Sequence, residues 1–169
     1  MAPKTDFSAA EWETLRDAPH AVVLAVAAAG ASGFFGSIKE AIAPAAPLAE
    51  ALKGENQLLR QICDREEIKA AIESLKHLAR SSGDFKDIQA TIRKAAIDKA
   101  REGLDLLKHK GTPDDAAAFR DFLLKLGDKV ANAAKEGAFL GFGGERVSAG
   151  ERELLAELAQ VLGVQQVYL

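Results

Sequence analysis

The sequence predicts an all-α fold, a single bundle of about six helices. Three observations carry this. The helix formers Ala, Leu, Lys, Glu and Arg are plentiful, while the period-two alternation of strands is almost absent. Alanine alone accounts for 33 of the 169 residues, interleaved with Leu, Ile and Val. Small side chains at helical spacing let helices approach closely. Helix-start signals also recur along the chain. A composition of 48% hydrophobic and 28% charged residues is globular and excludes a disordered or collagen-like chain. The length suits one domain over residues 1–169, with room for a sizeable core.

The first helix is expected from Ser8. Ser8-Ala-Ala-Glu11 reads as a capping box, with Trp12 and Leu15 on one face beyond it. Pro19 removes a backbone donor, so a kink or restart is expected there. Val22, Val23, Val26 and Ala29 then continue the stripe to Gly30. A second helix is expected from about Ile38, interrupted by Pro44 and Pro47 and ending by Gly54. A third follows from about Asp64 to Arg80, marked by Ile68, Ala71, Ile72, Leu75 and Leu78. After the turn Ser81-Ser82-Gly83, a long helix carries Ile88, Ile92, Ala96, Ala100, Leu104 and Leu107. It closes at Lys108-His109-Lys110-Gly111, basic residues before a glycine. Thr112-Pro113-Asp114-Asp115 opens the next, with Ala116, Phe119, Leu123, Leu126, Val130 and Ala134 on its stripe. Ser148-Ala-Gly-Glu151 is another capping box. It starts a helix with Leu154, Leu155, Leu158 and Leu162 on its core face, closed by Gly163. The tail from Val164 to Leu169 is apolar and is expected to pack back on the bundle.

A net charge of −3 with no basic patch argues against a nucleic-acid partner. The lone Cys63 excludes an internal disulfide and fits a reducing cytoplasm. It reads as a small buried hydrophobe rather than an activated nucleophile. His20, His77 and His109 lack metal-ligand spacing and read as surface or boundary residues. The N-terminus shows no secretory h-region. The uncharged stretch from Ala18 to Gly36 contains Pro19 and His20 and three closing glycines. It reads as a buried helix followed by a loop, not as a membrane span.

Shifting the chain by 107 positions superposes Val23, Ala27, Gly30, Ala31, Phe35 and Gly36 on Val130, Ala134, Gly137, Ala138, Phe142 and Gly143. It also superposes Leu48-Ala-Glu50 on Leu155-Ala-Glu157. An internal repeat, residues 8–54 and 113–163, is therefore expected to flank a central helix pair at 64–110.

Each half of this echo contains a loop: Gly30-Ala-Ser-Gly-Phe-Phe-Gly36 and Gly137-Ala-Phe-Leu-Gly-Phe-Gly-Gly144. Together they hold seven of the 14 glycines and four of the eight phenylalanines. Glycine permits close approach of another surface and phenylalanine supplies apolar area. Phe34, Phe35, Phe139 and Phe142, with Gly36, Gly143 and Arg146, are thus the candidate binding surface. The expected partner is a protein or a second copy of this chain, with a membrane surface as the other candidate. The competing reading turns the four rings inward as plugs for the bundle ends. Arg146 precedes a helix N-terminus that could hold an anion, but a P-loop Lys-Ser/Thr pair is missing. Asp17, Glu40, Glu136, Glu145 and Glu151 are expected near the helix ends flanking the loops. Of these, Glu136 and Glu145 are the candidate metal ligands, although the spacing matches no known ligand pattern. No nucleophile–base constellation is visible and no cofactor is implied. The expectation is a non-enzymatic binding or scaffold module. The alternative is a ligand- or metal-binding, even catalytic, bundle that uses the acids near the loops.

The segment from Gly144 to Gly163 resembles the TerB-like helical family associated with tellurite resistance. That family shows Asp-Gly-x-Val/Ile-Ser-x-x-Glu opening a Leu-rich helix that ends in Leu-Gly. Val147, Ser148, Glu151, the leucines and Leu162-Gly163 fit, while the family's Asp and Gly fall on Gly144 and Glu145. Gly36 and Ile38 echo the same turn in the first half, with Phe35 in place of the Asp. The resemblance covers about twenty residues. It implies an all-α fold and a non-catalytic stress-response or scaffold role near the membrane. The missing acids argue against carrying over metal binding.

Overall fold

The computed structural model describes residues 2–30, 46–136 and 147–164, with the side chains of 133–136 excepted. Among the described residues the chain is all-α. After a 3-10 turn at Lys4–Asp6, the helices are α1 (Ala9–Gly30), α2 (Ala46–Lys53), α3 (Gln57–Ile62), α4 (Arg65–Arg80), α5 (Phe85–Lys110), α6 (Pro113–Glu136) and α7 (Ala149–Val161).

The centre of the bundle is α1, which packs on α4, α5, α6 and α7. The reason lies in its sequence: a helix without a polar face gains most when surrounded. Every residue from Asp17 to Val26 is buried. The helix continues through Pro19, so of the kink or restart expected there the restart does not occur. One lost backbone bond and a ring clash cost about 3 kcal/mol. Burial of Val22, Val23, Leu24 and Val26 between four helices outweighs that at about 1.5–3 kcal/mol per large apolar side chain.

The capping signals form as read. Ser8 and Glu11 exchange hydrogen bonds of 2.8 and 3.3 Å at the start of α1. At α6, the Thr112 hydroxyl accepts from the Asp115 amide at 3.1 Å, and the Asp115 carboxylate accepts from the Thr112 amide at 3.2 Å. At α7, Ser148 and Glu151 close a capping box. The helix ends in a Schellman turn, with Gly163 at φ 74° and the Val164 amide donating to the Ala159 carbonyl at 2.9 Å. Helix α3 was not anticipated. Its six residues are too few to show a period, and its only local signal is Asn56, whose side chain accepts from the Leu59 amide. Residues 31–45, which include the first half of the expected second helix, lie outside the described residues, as does the tail beyond Val164, while the second half of that helix forms α2.

A close helix approach lies where α1, α5 and α6 meet. Gly103 of α5 faces the Phe119 ring of α6, and a Cβ there would lie 2.9 Å from Cζ and 3.3 Å from Leu15 Cδ2 of α1. Phe119 and Leu15 are both fully buried. At the N-terminus, residues 2–7 strap the helices together. The Ala2 amide donates to Asp115 at 2.9 Å, the Lys4 amide to Gln61 of α3 at 3.2 Å, and Phe7 packs on Trp12. Trp12 Nε1 donates to Glu67 of α4 at 2.9 Å.

Candidate functional site

The residues proposed from sequence as the binding surface, Phe34, Phe35, Gly36, Phe139, Phe142, Gly143 and Arg146, all lie outside the described residues. So does Glu145, and only the backbone of Glu136 is described, in the last turn of α6. What is described is the frame from which both loops leave.

One end of each loop meets at a single corner. The first loop leaves α1 at Gly30, and the second returns at Val147 and Ser148, in contact with the same turn of α1. The Ser148 hydroxyl lies 3.4 Å from the Ala29 carbonyl oxygen. Gly150 packs so closely on Ala29 that a Cβ would lie 3.1 Å from that oxygen. Gly30 in turn packs on Glu151, where a Cβ would fall 2.3 Å from Oε1. Glycine is needed at both positions because the C-terminal turn of α1 abuts the N-terminal turn of α7. The contact also aligns the negative end of one helix dipole with the positive end of the other.

Glu151 is the acid at this corner. It is 3% exposed, and its Oε2 accepts from the Ser148 amide at 2.7 Å. Its Oε1 has no hydrogen-bond partner among the described residues and lies against Gly30. Asp17 does not join it. Because α1 continues through Pro19, Asp17 sits mid-helix, about 20 Å along the axis from Gly30, rather than near a loop. Among the described residues no group of three or more His, Cys, Asp or Glu side chains is placed to hold a metal ion.

Asp17 instead anchors a buried polar cluster. Fully shielded from solvent, it accepts from Arg16 Nε at 2.7 Å and from the Ser74 hydroxyl of α4 at 2.7 Å. Lys99 Nζ of α5 lies 3.4 Å away. The carboxylate thus has a hydrogen-bond or charge partner from each of three helices. One turn further along is His20, which the sequence reading placed at the surface. It is also fully buried, with both ring nitrogens unpartnered among the described residues. A signal for this was present: His20 stands inside the uncharged run read as a buried helix, and such a helix buries all its faces.

Cys63 matches the inert reading. It is fully buried, and burial pushes its thiol up to about 12, so it stays protonated at neutral pH. A partly open, mainly apolar cavity of about 20 Å³ between α1, α4 and α5, lined by residues including Leu24, Leu75, Ile88 and Ile92, has room for one water-sized group. Among the described residues no helix is long and apolar enough to cross a membrane. No family model, curated protein or solved structure matches this chain.

Proposed function

We propose that the protein is a cytoplasmic, non-enzymatic binding module. Its contact surface is the pair of Gly-Phe loops, in the scaffold or stress-response role that the TerB-like resemblance implies. The supporting observation is the corner where the first loop leaves α1 and the second enters α7. Ala29 and Gly30 touch Ser148, Gly150 and Glu151, so one end of each of two glycine- and phenylalanine-rich segments far apart in sequence is held at the same place. Four aromatic rings from such loops supply enough apolar area for an interface anchor, at roughly 150–250 Å² each. A protein partner, or a second copy of the chain, suits this surface better than a bilayer, because Arg146 is its single basic residue to hold anionic lipid.

The test is a full-length variant with Phe34, Phe35, Phe139 and Phe142 all changed to Ser. Light scattering reports self-association, and co-sedimentation with anionic vesicles reports lipid binding. Pull-down with the wild-type chain as bait identifies a protein partner for titration. The expected result is at least a tenfold loss of association with circular dichroism and Tm unchanged. Equal association by a folded variant contradicts the reading.

A further inference from the structure

We propose that His20 is an acid trigger: protonation of its ring loosens the packing of α1 against the helices around it. The imidazole is fully buried in the most enclosed helix of the bundle. A neutral ring carries one donor and one acceptor, and both go unmet among the described residues. That costs stability but introduces no charge. The protonated ring would carry two unmet donors and a full positive charge into the same space, which is far less tolerable.

The surrounding charges do not rescue it. On α1 itself, Asp17 and Arg16 act on the ring with opposite sign. Asp17 is already committed to Arg16, to Ser74 of α4 and to Lys99 of α5. The other acids buried among the described residues are Asp115 of α6 and Glu151 of α7. Both serve the first turns of their own helices, through Thr112 and Ser148. Among the described residues the remaining buried side chains of α4 to α7 are apolar. Pro19, directly before the ring, has already removed one bond from the backbone ladder of α1, so the helix is locally weakest here.

The direction in pH follows. Burial is the main cause that lowers the ring from 6.5 to about 4, with Asp17 opposing it and Arg16 assisting. The folded group therefore binds its proton less readily than the unfolded one. The stability linked to this ring is complete above pH 6.5 and is lost as pH falls towards 4. Each unit in that window weakens the closed state roughly tenfold.

Trp12, the single tryptophan, reports the event because it sits buried on α1. Its emission should shift to the red between pH 6.5 and 4, with uptake of an apolar dye. In His20→Leu and His20→Gln the midpoint should fall by about one pH unit or more. Ring NMR on the unmodified chain, with exposed His77 and His109 as internal references, keeps the test independent of variant folding. His20 should take its proton in step with the Trp12 shift. A midpoint unchanged in both variants, or a His20 ring that stays neutral through the transition, overturns the proposal.

Discussion

Phe119→Ala is expected to destabilise the fold by about 3–5 kcal/mol, the range for emptying a fully buried aromatic site. The ring is the wedge at the junction of three helices: it fills the space that Gly103 leaves on α5 and lies beside Leu15 of α1. In a chain of this size each kcal/mol lowers Tm by about 2–4 °C. The reciprocal change tests the geometry. Gly103→Ala should raise helix propensity by up to about 1 kcal/mol. Its Cβ would, however, sit 2.9 Å from Phe119 Cζ and 3.0 Å from Cε1, and a ring with no exposure has little room to retreat. A net loss of about 1–2 kcal/mol is expected from overpacking. In a Phe119→Leu background the same change should be neutral or stabilising. A double-mutant cycle by chemical denaturation measures the coupling, and additive effects would show that the two positions do not meet.

Asp17→Ala is expected to cost about 3–5 kcal/mol, the range for breaking a buried charge pair by removing one partner. The carboxylate is fully buried, while Arg16 and Lys99 keep only 15% and 20% of their side chains exposed. Among the described residues neither cation has another hydrogen-bond acceptor, and Ser74 keeps only the 3.4 Å contact with Glu13. Asp17→Asn should lose less, because an amide oxygen still accepts from Ser74 while the charge is gone. Combining Asp17→Leu with Lys99→Met should recover most of the loss, since an apolar replacement of a buried pair is often neutral. Urea denaturation of the single and double variants checks this. Equal losses for Asp17→Ala and for the apolar pair would show that the cluster is not held by charge.

Much of this fold could be read before the structure, and the reasons differ by element. Ser8–Glu11, Thr112–Asp115 and Ser148–Glu151 were legible because a cap is a local contest, settled by a few neighbouring residues. Leu104, Leu107, Leu123 and Leu158 were legible as core because each lies on a stripe with a polar opposite face. The failures are α3, too short to show a period, and parts of α1, where tertiary surroundings overrode local preference. Pro19 should interrupt a helix in isolation, yet packing on four neighbours carries the helix through it. That continuity moves Asp17 away from the loops and into the bundle. It also buries His20, whose type suggested a surface position while the uncharged run around it pointed inward. The candidate site is read from the sequence as two related segments at opposite ends of the chain, and both lie outside the described residues. The contact of Ala29 and Gly30 with Ser148, Gly150 and Glu151 that brings their frames together joins residues about 120 positions apart, and no local pattern encodes it.

The central claim is that the loop phenylalanines form an outward-facing surface at that shared corner. Fluorine NMR on the chain with fluorinated phenylalanine, plus a soluble paramagnetic probe, tests it directly. Phe7, Phe119 and Phe122 are buried and should resist broadening, while Phe85, 40% exposed, should broaden and serve as the internal standard. The binding reading predicts that Phe34, Phe35, Phe139 and Phe142 broaden as Phe85 does. Protection of all four to the level of Phe119 would show them to be plugs of the bundle and would contradict it.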